Sequence, residues 1–430
     1  MDPLRRASRH TVALAVVAVA SIVVAACGSS AATATPAPTP TAPPSPTTTA
    51  QPTASPDAAT VYAEIERQVQ QIRELEAKKP VTPALLGEAQ LKQNMTAQFD
   101  KGTPPAVVAA TEKLYQLLGL VPEGASLRDL YVQLLGSQVA GYYDPETKEL
   151  YVVSSTGGLG PTERFVFSHE YDHALQDQNF DLKNLGLDSI GQGDAALAHL
   201  SVAEGDATLL MTLWAQSNMT PAEILAMATD PVAAAQMQVF NKMPLILRQT
   251  LMFPYTSGLQ MVTDTYSTGG WDAVNALYKK PPASTEQVLH ADKYAAGEAP
   301  VEVAFPKDLA KRLGSGWTVD LQDTLGEFQL ETWLENAGVP KATATTAAAG
   351  WGGDRVALVT NGDRTGAVID TRWDSPAEAK EFAAAAQGAL DKIGGHHALI
   401  AIDGTDRVTL FVATDDATNS ALGSALGLAG

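Results

Sequence analysis

The spacing of apolar positions changes character several times along the chain. Residues 11 to 26 (TVALAVVAVASIVVAA) are apolar almost throughout, and residues 29 to 59 hold Ala, Thr, Pro and Ser with no apolar period. From 59 to 137 apolar residues recur at three- and four-residue intervals in VYAEIERQVQQIRELEAKK, TPALLGEAQLKQNMTAQFDK, PAVVAATEKLYQLLGL and SLRDLYVQLLGSQ. Pro and Gly separate these segments, and each predicts a helix. In QVAGYYDPETKELYVVSS the period shortens. Aromatic and β-branched residues flank the turn sequence Asp144-Pro145-Glu146-Thr147, predicting a β-hairpin of residues 138–144 with 149–154. Gly157, Gly158 and Gly160 mark a loop. Pro161 and Glu163 then suit the first turn of a helix expected to run to about Asn179. After Gly186, Gly191 and Gly193 comes a second, Ala-rich helix, GDAALAHLSVAEGDATLLMTLWAQ, and residues 221 to 294 read as further helices. Beyond 300, VEVAF predicts a strand and TLGEFQLETWLENAG a helix. From 350 the order is strand (RVALVTN), strand (TGAVIDTRW), helix (SPAEAKEFAAAAQGALDKI), strand (HHALIAI) and strand (RVTLFVAT). That is a compact α+β unit whose layers resemble a ferredoxin-like arrangement. The class expected for the whole is α+β, predominantly helical.

The front of the chain has a different task. Arg5, Arg6 and Arg9 precede the apolar run, which is shorter than the ~20 residues that span a bilayer. A basic start, a short apolar stretch and small residues at its end describe a secretory signal over residues 1–26. Val24-Ala25-Ala26-Cys27-Gly28 resembles the lipobox of bacterial lipoproteins, which implies lipidation of Cys27 and a membrane lipid anchor on the extracytoplasmic side. An ordinary signal cut near Ala26, or an uncleaved anchor, are the alternatives. Residues 27–58 form an extended, partly polyproline tether. A helical domain (59–300) and the C-terminal α+β subdomain (301–430) follow.

Composition narrows the chemistry. Cys27 is the single cysteine, so the folded part holds no disulfide and no thiolate metal ligand. Any metal there rests on histidine and carboxylate. The net charge is -19, and removal of residues 1–26 takes away three arginines and one aspartate, leaving -21. Such an acidic surface argues against nucleic acid as a partner.

The candidate chemistry lies in the first of the two central helices, at His169-Glu170-Tyr171-Asp172-His173. Two histidines four apart on a helix share one face, so both imidazoles reach a common ion. Glu170 sits beside that ion, placed to take the proton of a polarised water. A catalytic Zn2+ needs a third protein ligand. Glu204 of the second helix falls in one stripe with Leu197, Leu200, Thr208 and Met211, where an ionised carboxylate requires a partner. His199 is the competitor, about 140° around that helix at about 100° per residue. Gly205, unfavourable in a helix, fits a close approach between the two helices. The extended pattern HExxHxxGxxH fails at Gln176 and Asn179. His396 and His397, adjacent in a strand, point to opposite faces and form no joint site.

HEYDHALQDQ followed by VAEGDA resembles the gluzincin peptidases over residues 138 to 216. That resemblance implies a zincin-like catalytic core with an edge β-hairpin, Zn2+ held by His169, His173 and Glu204, and Glu170 as general base acting on a peptide or protein substrate. It also implies that the hairpin strand ending in LYVVSS is the edge that binds an extended peptide. Thr208 stands where the thermolysin group has an aspartate, so the group behind the ligands falls to Asp206 or Asp177. A downstream His or Tyr serves the oxyanion in this family, which points to His290, with Tyr294 and Tyr266 behind it. His290 packing at a helix end is the plainer reading. A lipid-anchored binding or envelope-assembly protein with a vestigial or structural metal site is the second reading of the chain.

Overall fold

The computed structural model describes residues 16–17, 57–154, 159–187, 189–402 and 404–428. Cys27, the tether up to residue 56, the signal segment other than Val16–Val17, and Gly157 and Gly158 lie outside the described residues.

Helix α1 (Ala58–Arg73) starts on Asp57, whose carboxylate accepts from the Thr60 N–H at 2.8 Å. A short strand, β2 (Pro83–Leu86), precedes α2 (Glu88–Gly102), α3 (Pro105–Leu117) and α4 (Leu127–Gln138). The helical period had predicted helix at Pro83–Leu86. Parallel pairing with β4 (Glu149–Val153) draws these residues into a sheet instead, with Pro at the first strand position, where its missing N–H costs least. The expected hairpin is β3 (Gly141–Asp144) against β4, and Asp144 accepts from the Glu146 and Thr147 N–H groups in its turn. Strand β4 is an inner strand, between β2 and β3, so LYVV is not the free edge expected of it. The outer neighbour of β3 is β1 (Val16–Val17), antiparallel to Tyr143 and Tyr142.

The two central helices are α5 (Pro161–Phe180) and α6 (Gly193–Asn218). Helix α6 is buried on every side along most of its length, so it has no single apolar stripe. Around this pair lie α7 (Pro221–Ala228), α8 (Pro231–Asn241), α9 (Leu245–Phe253), a π-helical turn (Pro254–Gly258) and α10 (Leu259–Lys279), kinked at Gly269 and Gly270. The short helices α11 (Thr285–Leu289), α12 (Ala291–Ala296) and α13 (Leu309–Leu313) lead to the C-terminal unit. Residues 301–305 form no strand there. Only the Val301 N–H reaches the sheet, at the Gly352 carbonyl.

The C-terminal sheet is antiparallel throughout, in the order β5 (Thr318–Asp323), β6 (Trp351–Asn361), β7 (Arg364–Trp373), β9 (Arg407–Ala413) and β8 (His396–Ala401). Helices α14 (Gly326–Asn336), α15 (Lys341–Ala348), α16 (Pro376–Ile393) and α17 (Asp416–Ala425) complete it. Val356, Leu358, Ile369 and Leu410 face α16, whereas Ala357, Val359, Val368 and Phe411 face α17. Helices therefore cover both faces, unlike a two-layer ferredoxin-like unit. The first of these faces continues without a break into Leu114, Leu118 and Leu134 of the α2–α4 region. The predicted boundary at residue 300 is thus no gap in the packing. Among the described residues no helix is long and apolar enough to cross a membrane. The fold is predominantly helical α+β, as the pattern predicts.

Candidate metal centre

One helical turn separates His169 from His173 on α5, and their Nε2 atoms lie 2.9 Å apart. Glu204 Oε2, from α6, lies 3.2 Å from His169 Nε2 and 3.5 Å from His173 Nε2. Zinc held by N and O donors at about 2.0–2.2 Å in a tetrahedron sets those donors about 3.3 Å from one another. The triad fits that spacing, and two imidazoles with one carboxylate are a zinc-type donor set. The carboxylate and the imidazoles shift one another. Burial alone pushes His173 down, but the Glu204 charge overcomes it and holds the imidazole up at about 9. Glu204, despite the opposing effect of burial, is held down at about 2 by His173 and His169. Burial keeps His169 below its usual value. All three residues are at most 1% exposed.

The geometry around the triad is fixed from behind. His173 Nδ1 lies 3.0 Å from Gln176 Oε1, which makes Nδ1 the protonated nitrogen and leaves the Nε2 lone pair for an ion. Gln176 Nε2 donates to Asp172 Oδ2 at 2.8 Å and to the Ala203 carbonyl at 3.1 Å, tying α5 to α6. Asp172, pushed up to about 7 by burial and the Asp206 charge against the pull of Arg73, lies 4.0 Å from the Arg73 guanidinium. Arg73 pairs in two-pronged fashion with Asp206 at 2.8 Å, donates to Asn275, and stacks over Trp271. Tyr278 also donates to Asp206, at 2.7 Å. The residue orienting a ligand is therefore Gln176, not Asp206 or Asp177. Asp206 serves Arg73, one connection further out. Asp177 instead accepts from Tyr143 and Lys148, pinning the hairpin to α5.

Two close approaches shape the site. A Cβ on Gly141 would sit 2.6 Å from Val166 and 3.2 Å from Glu170 Cγ, so glycine lets β3 lie directly beside the general-base candidate. A Cβ on Gly205 would sit 2.5 Å from the Gly258 carbonyl, and one on Gly258 equally close to the Ser201 carbonyl. The tight approach inferred for Gly205 exists, but to the π-helical turn rather than to α5. That turn carries Tyr255, whose ring centroid lies 6.3 Å from that of His169. Tyr255 and Glu204 line a common cavity.

The remaining candidates lie elsewhere. His290 Nε2 is 2.8 Å from Glu327 at the start of α14, and every group that shifts its charge balance belongs to that neighbourhood. It faces Glu327 because the backbone of His290 both ends α11 and begins α12, which aims the ring at α14. Tyr294 donates to the Lys280 carbonyl, and Tyr266 packs on Trp271. Tyr255 is the tyrosine ring beside the triad, and a π turn leaves no period by which sequence reading finds it. His199 lies against the loop at Leu185 and Gly186. His396 and His397 reach Asp416 and Asp391 respectively, from opposite faces of β8.

Residues 312–423 match the model of a family described as a domain of unknown function, DUF8575. The match covers the C-terminal sheet and none of the triad. No curated protein and no solved structure matches the chain.

Proposed function

We propose that this chain is a zinc-dependent peptide hydrolase of the gluzincin type, tethered by lipid on Cys27 to the extracytoplasmic face of a membrane. The observation that carries the reading is the convergence of His169, His173 and Glu204 to within 3.5 Å, with Glu170 one residue along the same helix. When bound by those three side chains, zinc supplies a Lewis acid that polarises a carbonyl and acidifies water. Glu170 takes the proton of the attacking water as its oxygen bonds to the scissile carbonyl carbon. It returns that proton to the amide nitrogen as the C–N bond breaks, so the amine leaves neutral. Tyr255 is the donor for the oxyanion. Gln176 holds His173 in the tautomer that ligates. In this reading an extended substrate pairs antiparallel along the outer edge of β3, where Gly141 brings backbone beside Glu170, taking the place held here by Val16–Val17 of the signal segment.

The burial of the triad favours a second reading, a structural metal in a lipid-anchored binding or assembly protein, since structural zinc sites are closed and catalytic ones keep an open position. Digestion of an unstructured protein separates the two. The hydrolase cleaves it, stops on chelation, and as Glu170→Gln keeps zinc but loses about 10²–10⁴-fold in rate. Stoichiometric zinc without chelator-sensitive cleavage belongs to the second reading.

A further inference from the structure

Seven large apolar side chains are exposed among the described residues, and three of them, Ile224, Leu225 and Val232, fall on α7 and the start of α8. Leu225 is the most exposed of the seven, at 63%. Residues 219–241 hold only two charged side chains, Glu223 and Asp230, and neither is exposed. Glu223 accepts from Thr220 and pairs with Arg164. Asp230 accepts from the Val232 N–H at 2.9 Å and caps α8. The exposed surface of this stretch is therefore apolar and uncharged, on a chain of net charge -19.

This patch lies where the tether joins the fold. Helix α1 runs antiparallel to α6: Arg73 at its end meets Asp206, and Gln68 accepts from the Trp214 indole N–H at 2.8 Å. Its start at Ala58 therefore lies towards Asn218, the end of α6 from which α7 follows. Helix α5 gives the same placement independently. Tyr62 of α1 packs on Phe167 with ring centroids 4.5 Å apart. Arg164, about one turn earlier on α5, holds Glu223 of α7.

Resting on the lipid-anchor part of the reading above, we propose that α7 and the start of α8 seat in the headgroup–acyl boundary of the leaflet that carries the anchor, with Ile224, Leu225 and Val232 as the inserted side chains. A tether entering beside the patch brings this face of the domain to the membrane, not the opposite one. Held there, the patch works at high effective concentration, so a few side chains make a contact that would be weak from free solution. Its lack of exposed charge acts in two ways. No carboxylate has to be desolvated, and no lysine or arginine seeks anionic headgroups. The contact is therefore apolar and insensitive to salt. A second copy of the chain is the poorer occupant, because two strongly acidic chains repel each other around the patch.

The test uses the full chain on phosphatidylcholine vesicles, with an environment-sensitive dye on Leu225→Cys and, for comparison, on Ile402→Cys, another exposed apolar position. Cys27 is the single native cysteine, and lipidation blocks its thiol, so the native chain should take up no dye. Lipids brominated near the headgroup are expected to quench the dye at 225 and not the dye at 402, alike at about 0.1 M and about 1 M salt. With the dye moved to Val232→Cys, adding Leu225→Asp is expected to abolish the quenching, since insertion would bury a carboxylate. If that variant fails to fold, Ile224→Asp carries the same expectation. On a lipidated chain, an unquenched dye at 225, quenching that high salt removes, or quenching that survives the aspartate overturns the proposal and leaves the anchor standing. So does a blue shift at 225 without lipid quenching, accompanied by cross-linking between chains, which marks a second copy. Dye uptake by the native chain shows an unmodified Cys27, and takes down the anchor and this proposal together.

Discussion

The helices of the candidate metal centre and the C-terminal sheet are both buried, but for different reasons. The sheet buries alternating apolar residues between two layers of helices, and its main buried ion pair, Asp370 with Arg407, keeps the arginine 30% exposed. Helices α5 and α6 bury His169, Glu170, Asp172, His173, Gln176, Glu204 and Asp206 together with Arg73 of α1. Apolar burial is non-directional and tolerates repacking. A buried polar set holds only if each member meets its partner. The region whose burial is hardest to justify by packing is the region that we propose holds an ion.

The sharpest way to break the comparison is Arg73→Ala. It leaves Asp206 and Asp172 buried without their cation and is expected to cost about 3–5 kcal/mol in denaturant unfolding. Arg407→Ala, on the half-open pair of the sheet, is expected to cost about 1 kcal/mol or less. Equal losses would mean that the two regions are held alike. Next in size is Gln176→Ala. With His173 no longer oriented, zinc affinity is expected to fall about 10- to 100-fold in a competitive chelator titration, alongside a loss of about 1–3 kcal/mol in unfolding because Asp172 and the Ala203 carbonyl lose their donor. Gly258→Ala forces a methyl into the Ser201 carbonyl and is expected to cost about 1–3 kcal/mol by thermal unfolding. The smallest effect concerns His290. Its pairing with Glu327 holds its pKa above the usual value, so the pair's stabilisation is complete below the unfolded-state value near 6.5 and is lost as pH rises through the folded-state value. The unfolding midpoint of the native chain should therefore fall more steeply than that of His290→Ala as pH rises above about 6.5. Peptide cleavage by His290→Ala should stay within about twofold of the native rate, and a larger loss would restore His290 to the site.

Period and punctuation made the scaffold legible. RVALVTN, TGAVIDTRW, HHALIAI and RVTLFVAT are short β-branched apolar runs of strand length and are strands, and α5 begins at Pro161 as its first-turn residues suggest. Where tertiary pairing decides, the pattern misleads. Pro83–Leu86 is a strand because β4 is beside it, and VEVAF is not one because it touches β6 at a single hydrogen bond, from Val301 to Gly352. The convergence of His169, His173 and Glu204 was readable because four-residue spacing is local and the Glu204 carboxylate stands out among apolar neighbours. Their supports were not. Gln176 looked like the failure of a longer motif, yet it orients His173. Arg73 lies far off in sequence, and nothing in its own helix announces Asp206 as its partner. Tyr255 depends on a π turn and His290 on the path of a short connection, neither of which has a period.

The most direct test of the central claim is a zinc titration of the full chain followed by dialysis and elemental analysis, on the native protein and on Glu204→Ala. The account predicts one tightly held zinc ion per native chain and substoichiometric zinc in Glu204→Ala at unchanged secondary structure. Equal zinc retention by the two proteins, or none by the native chain, would contradict it.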